Sequence, residues 1–224
     1  MAMVAASACT GDDNGDAAPE EVDALYVAVG ASETVGQGAD DPAKQAWTQV
    51  FFRTALPRGY RFVNLGISGA TTARALTDEV PEAVRQEPDL VTVWLNVNDI
   101  RNGVGPAAYE KQLRDLVRQL RRDGKTEVLV ANTPPLDILP VARGFGALAN
   151  VIVRQYNDVI AKVVRDEGAH LVDLYAAGVA ARERGEAAQL ISADGFHPST
   201  AGHAAVAAEF AKVYATLKLR QPAR

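Results

Sequence analysis

A single cysteine, Cys9, stands in a chain of 224 residues. No internal disulfide can form, and no Cys/His grouping has metal-ligand spacing. Histidine is nearly as scarce: His170, His197 and His203 are too dispersed to mark a site by spacing alone. Basic clusters are missing too. The net charge is −5, with Lys and Arg scattered along amphipathic stretches, so the sequence reads as having no nucleic-acid partner. No apolar run reaches 18 residues, so no stretch reads as a membrane span. The phosphate cradle of nucleotide-binding loops is incomplete. "GQGADD" offers Gly36 and Gly38 without a third glycine, Gly30 lies too far upstream, and the P-loop lysine is lacking.

What remains is an ordinary globular composition, 48% hydrophobic and 23% charged, in a length that suits one domain. A body of that size buries roughly 70% of its unfolded surface, so no disulfide or metal staple is required. Residues 1–22 differ from the rest. Small apolar residues run up to Cys9 and then give way to an acidic Gly/Ala/Pro tail too poor in large apolar residues to fold. Small residues ending at a cysteine before a polar spacer resemble the end of a bacterial lipoprotein signal, with Cys9 acylated and the protein exported. The match is partial: position 6 is Ala instead of a larger aliphatic, and no basic region precedes it. The other reading is a plain disordered tail on a cytoplasmic protein. The expected division is 1–22 tail, 23–218 folded domain and 219–224 C-terminal tail.

From Asp23 onward short apolar runs alternate with amphipathic stretches. "ALYVAVG" (24–30), "RFVNLG" (61–66), "LVTVWLN" (90–96), "EVLVANT" (127–133) and "HLVDL" (170–174) read as five strands. Their near-continuous apolar, β-branched character suits strands buried on both faces of a parallel sheet. Between them lie helices. One is read over "DPAKQAWTQVFFRTAL", with Asp41 as N-cap and Pro42 in the first turn. "TTARALTDEVPEAV" is interrupted by Pro81. "GPAAYEKQLRDLVRQLRRDG" sets Tyr109, Leu113, Leu116, Val117 and Leu120 on one stripe and stops at Gly124. Two more helices follow in "ALANVIVRQYNDVIAKVVRDEG" and "STAGHAAVAAEFAKVYATLKL". This alternation predicts right-handed crossovers and a three-layer αβα sandwich around a five-stranded parallel sheet.

Open α/β sheets bind ligands at the carboxyl ends of their strands. There the sequence places Gly30-Ala31-Ser32, then Asn64-Leu65-Gly66-Ile67-Ser68-Gly69, then Asn96-Val97-Asn98-Asp99. The segment before the last helix adds Asp194-Gly195-Phe196-His197-Pro198. Ser32 after a strand is either a turn-former or a nucleophile. With Asp194 and His197 three residues apart, one bend can lay the carboxylate on Nδ1–H and leave Nε2 free to take a hydroxyl proton. Asp-x-x-His alone is also what a solvated loop looks like.

All four segments in this order resemble the SGNH hydrolases, the GDSL esterase/lipase superfamily, over residues 23–217. The resemblance implies the flavodoxin-like SGNH fold and ester hydrolysis through an acyl-enzyme. It implies that Ser32 attacks, that His197 acts as base and then acid, and that Asp194 orients His197. The backbone N–H groups of Ser32 and Gly69 and the side-chain amide of Asn98 would hold the oxyanion. No metal or organic cofactor is implied. Two positions depart from the family pattern: Ala31 stands where Asp is usual, and Asn96 stands where Gly is usual. A Gly-x-Ser-x-Gly elbow is missing, which argues against the α/β-hydrolase fold proper.

Asp99 reads as a structural brace. His170 and His203 read as packing or surface residues, and Trp47 and Trp94 as core. The apolar loop 133–148, broken by Pro and Gly, either walls an acyl pocket or covers the sheet. As an acyl pocket it would suit lysophospholipids, short acyl esters or acyl thioesters; a carbohydrate O-acetyl esterase would want a more open, polar cleft. An acyltransferase using the same acyl-enzyme is the alternative activity, and a non-catalytic binding module is disfavoured because all five positions are present. Oligomeric state is not legible.

Overall fold

The computed structural model describes residues 23–217. Cys9 and its proposed acylation lie outside those residues, as does the C-terminal tail from 218. Five strands form one sheet: β1 (Ala24–Gly30), β2 (Tyr60–Asn64), β3 (Leu90–Trp94), β4 (Glu127–Ala131) and β5 (His170–Val172). All neighbours pair in parallel in the order β2-β1-β3-β4-β5. The helices are α1 (Ser32–Val35), α2 (Pro42–Gln45), α3 (Trp47–Ala55), α4 (Thr72–Asp78), α5 (Val80–Arg85), α6 (Val97–Arg101), α7 (Pro106–Arg121), α8 (Gly146–Asp166), α9 (Leu174–Glu183) and α10 (Thr200–Thr216).

Strand alternation divides the core in two. Leu25, Val27 and Val29 of β1 point with Val91, Val93, Val128 and Val130 toward α4, α5, α7 and α8. Tyr26 and Ala28 point the other way, with Leu90, Trp94 and Leu129, onto Trp47 and Phe51 of α3 and Phe210 of α10. A parallel sheet buried on both faces needs this continuous apolar pattern, which is why the strands were readable. Aromatics are few but concentrated: Trp47 stacks on Phe210 at 4.3 Å, and Tyr26 stacks on Phe62 at 4.8 Å. The expected stripe on α7 is buried throughout.

One expected helix is divided. The segment read as a single helix from Asp41 breaks at Ala46, whose backbone is extended, and Asp41 makes no side-chain capping bond. The cause is a competing partner: Trp47 N–H donates to Nδ1 of buried His203 at 3.2 Å instead of to a carbonyl one turn back. α9 was not read at all. Its residues are mostly small and its apolar stripe is weak.

The chain runs from β1 to β2 on one side, then crosses to β3 on the other. β1 therefore lies at the point where the strand order reverses, and open α/β sheets leave a crevice there beyond the carboxyl ends. Ser32 follows β1 and Asn98 follows β3, so both segments open into that crevice.

Candidate active site

Ser32 is the first residue of α1, immediately after β1, and is 5% exposed. As a first-turn residue its backbone N–H has no intrahelical carbonyl to bond. His197 and Asp194 sit in a closed loop between Leu190 and Ser199. An antiparallel bridge joins Ile191 to Pro198, and Ser192 N–H donates to the His197 carbonyl at 2.8 Å. Gly195, at φ +74°, turns the chain within the loop. These bonds fix the loop before any side chain is considered.

Within it, Asp194 is fully engaged. Oδ2 accepts from His197 Nδ1–H at 2.6 Å, while Oδ1 accepts from Ser192 Oγ at 2.7 Å and from the backbone N–H groups of Phe196 and His197 at 2.8 and 2.9 Å. Burial pushes its pKa up, but the hydrogen bonds from His197, Ser192 and the two amides outweigh that and hold it well below the usual carboxylate range. With Nδ1 committed to Asp194, Nε2 carries the lone pair, and Ser32 Oγ lies 3.0 Å from it. The three side chains therefore form one hydrogen-bonded line across 165 residues of sequence.

Gly38 makes the approach of His197 feasible. Its φ is +96°, and a Cβ there would lie 2.3 Å from the Pro198 carbonyl oxygen and 2.8 Å from His197 Cβ. Gly69 has φ +80° with open space around the missing Cβ, so the backbone conformation, not crowding, calls for glycine. Its neighbour Ala70 accepts at its carbonyl from Asn98 Nδ2 at 3.0 Å, which links the Gly69 loop to the α6 residue. One amide hydrogen of Asn98 is thus used and the other remains. Asp99 supports the same loop: its carboxylate accepts from Thr72 N–H at 3.0 and 3.1 Å and from Thr72 Oγ1 at 3.1 Å.

Two positions near Ser32 escaped the sequence reading. Glu33, 7% exposed, places Oε2 3.4 Å from Ser32 Oγ. Glu79, 1% exposed and on no strand end, accepts from Gly30 N–H at 2.7 Å. Burial raises the Glu79 pKa to about 8, against a smaller opposite effect from that bond. The adjacency of Glu33 to Ser32 was visible in the sequence, but its burial was not. Trp94 is both core and site wall. His203 is a core residue: Nδ1 accepts from Trp47, Nε2–H donates to the Gln37 carbonyl at 3.0 Å, and burial lowers its pKa. His170 pairs with Glu127 at 2.7 Å on the sheet edge, a partner distant in sequence.

Beside His197 opens a cleft with a cavity volume of about 160 Å³. Its walls are mostly apolar: Pro134, Leu136 and Leu139 from the loop after β4, Ala177 from α9, and Val206 from α10, with Trp94 also lining it and Glu33, Arg184 and Glu209 at its border. Of the two readings of the 133–148 loop, its first half walls the cleft. Among the described residues no group of three or more His, Cys, Asp or Glu gathers as metal ligands, and no helix is long and apolar enough to cross a membrane.

The fold is an α/β sandwich that brings Ser32, His197 and Asp194 into one hydrogen-bonded line. Residues 28–205 match the GDSL-like lipase/acylhydrolase family. The chain belongs to that family, and it is a carboxylic ester hydrolase. It is 27% identical over 175 residues to esterase TesA of Pseudomonas aeruginosa, covering 77% of this chain and 79% of the esterase. A crystal structure of TesA superposes with a TM-score of 0.67 at 26% identity, covering 87% of this chain and 98% of that one. A catalytic mutant of Axe2, an acetylxylan esterase from Geobacillus stearothermophilus, superposes with a TM-score of 0.71 at 21% identity, covering 88% and 96%, a likeness of fold.

Proposed function

We propose that Ser32, His197 and Asp194 act as a catalytic triad that hydrolyses esters of acyl chains of about six carbons. The observation that carries the triad is the pair of bonds Ser32 Oγ to His197 Nε2 at 3.0 Å and His197 Nδ1 to Asp194 at 2.6 Å. Ser32 O–H passes its proton to Nε2 as Oγ attacks the ester carbonyl. The new oxyanion takes hydrogen bonds from the N–H of Ser32, the N–H of Gly69 and the second amide hydrogen of Asn98, which the Ala70 carbonyl keeps oriented. Nε2–H then gives its proton to the departing alkoxide, leaving the acyl group on Ser32. Water enters, loses a proton to Nε2 and attacks the acyl carbon; the bond to Oγ then breaks, Nε2–H returns the proton to Ser32 Oγ, and the carboxylic acid leaves. Asp194 holds the tautomer throughout and remains ionised.

The apolar cleft supports the choice of acyl chain. An apolar cavity of about 150 Å³ holds a benzene ring, so one of this size suits a chain of about six carbons. It favours such esters over acetylated carbohydrate, which would leave the apolar walls unfilled. A p-nitrophenyl ester series from two to twelve carbons tests the reading: kcat/KM is expected to peak near six. A maximum at acetate, or no turnover of any ester, contradicts it.

We also propose that the chain is exported and acylated on Cys9. Mass spectrometry of natively expressed protein should then find a diacylglyceryl adduct, and an unmodified thiol overturns this.

A further inference from the structure

Glu33 takes no part in the reaction described above, yet its carboxyl lies beside the nucleophile. It forms no ion pair among the described residues. The guanidinium of Arg101 is placed instead over the Phe196 ring, 5.5 Å from its centre. Burial raises the pKa of Glu33, opposed by its own N–H, His197, Ser32 and Arg101. A buried carboxyl that offers so little to the fold is an expensive residue to keep next to a catalytic serine.

Glu33, Trp94 and Val97 line the acyl cleft and also an adjoining recess shared with Ala31, Asn96 and Asn98. Two polar atoms of these residues are buried without a hydrogen-bond partner: the indole Nε1–H of Trp94 and Oδ1 of Asn96. The recess itself has no room for a water molecule, whereas the cleft that Glu33 and Trp94 also line can admit a partner for the indole N–H. Buried polar atoms in native structures are nearly always hydrogen-bonded, so two unmatched ones beside a cleft call for an explanation.

We propose that Glu33 and Trp94 form a polar subsite for an acyl group bearing a hydroxyl on its second or third carbon. A hydroxyl can accept from the indole N–H. It can also serve Glu33 in either protonation state, donating to the carboxylate or accepting from the neutral acid. An ammonium has no lone pair for the indole N–H, and a substrate carboxylate would set a second anion against Glu33. Position along the chain follows from distance. Glu33 Oε2 is 3.4 Å from the oxygen that bonds the acyl carbon, so it reaches substituents close to the carbonyl and not those at the chain end.

This inference rests on the acyl-cleft reading, and the test separates the two. Hexanoate, 2-hydroxyhexanoate, 3-hydroxyhexanoate and 6-hydroxyhexanoate p-nitrophenyl esters are compared on the wild type, Glu33→Gln and Glu33→Leu. The wild type is expected to prefer the 2- or the 3-hydroxy ester over hexanoate by about tenfold in kcat/KM, with no gain for the 6-hydroxy ester. Glu33→Leu is expected to abolish that preference and Glu33→Gln to retain part of it. Ratios within each variant cancel a general loss of activity or stability, and the Gln variant covers the case where Leu fails to fold. If hexanoate is turned over but its ratio to the hydroxy esters is the same in wild type and variants, the subsite is overturned while the proposed function stands. If no hexanoyl ester is turned over, both fall.

Discussion

The proposed mechanism gives the Asn98 amide two jobs: to bond the Ala70 carbonyl and to stabilise a developing oxyanion. Losing one such donor costs about 2.7–4 kcal/mol in the transition state. Asn98→Ala is therefore expected to lower kcat by about 10²–10³-fold with KM little changed, read from initial rates at saturating ester. A drop below tenfold would remove Asn98 from the oxyanion site. Gly38 tests placement of the base. Its alanine variant must push Pro198 and His197 away, and a shift of about 1 Å in a reacting group costs about 10²-fold in rate. Wild-type kcat in Gly38→Ala would show that the packing at Gly38 does not set the His197 position. At this scale the sequence was informative where chemistry recurs in a pattern. Ser32, Gly69, Asn98, Asp194 and His197 were legible as a set, and the geometry joins Ser32, His197 and Asp194 directly. Glu33 was not legible, because a charged residue in a loop is read as solvated until its burial is known.

Among the elements, α1 and its approach from β1 carry a buried acid at their base. Glu79 of the α4–α5 junction accepts from Gly30 N–H two residues before Ser32, and its other oxygen has no partner. Its pKa is about 8 in the folded chain against 4.5 for the free residue. The folded state then binds the extra proton between those values, so this group's contribution to stability falls as pH rises from about 4.5 to 8 and is constant above. The loss approaches roughly 3–5 kcal/mol. Glu79→Gln keeps the acceptor and removes the ionisation. Thermal melts should show the variant more stable than wild type at pH 9 and near wild type at pH 5. Equal differences at both pH values would show that Glu79 does not ionise on unfolding. Edge strands β2 and β5 are only partly buried, while the inner strands β1, β3 and β4 were readable because burial on both faces leaves a continuous apolar run. The break at Ala46 was not, since it depends on His203, 156 residues away, capturing the Trp47 amide. Short α1 and α6 lack the length for a periodic signal.

Taken whole, one face of the sheet is fully packed, while the other is packed and also borders the cleft. On the second face α3 and the end of α10 fill the space under β1, while α9, the start of α10 and the loop after β4 stand apart at the carboxyl edge. That gap is the cleft proposed to take the acyl chain, and filling it should change chain-length preference without changing the reaction. Ala177→Phe places a ring among the lining residues and is expected to move the best substrate from about six carbons to two or three, with kcat on the short ester kept within about tenfold. An unchanged optimum would mean that the acyl chain lies elsewhere. The cleft was only half legible in the sequence. The loop's apolar residues were evident, but its facing wall belongs to α9, whose small residues gave no periodicity to read.

Everything chemical in this description requires that the hydroxyl after β1 become the acylated atom. Treatment with diethyl p-nitrophenyl phosphate, followed by peptide mass spectrometry, reads that atom directly. The expected result is loss of esterase activity in step with one diethylphosphoryl group on Ser32, and no labelling after His197→Ala. Full inactivation with the group on another residue, or activity that persists with Ser32 fully labelled, would contradict it.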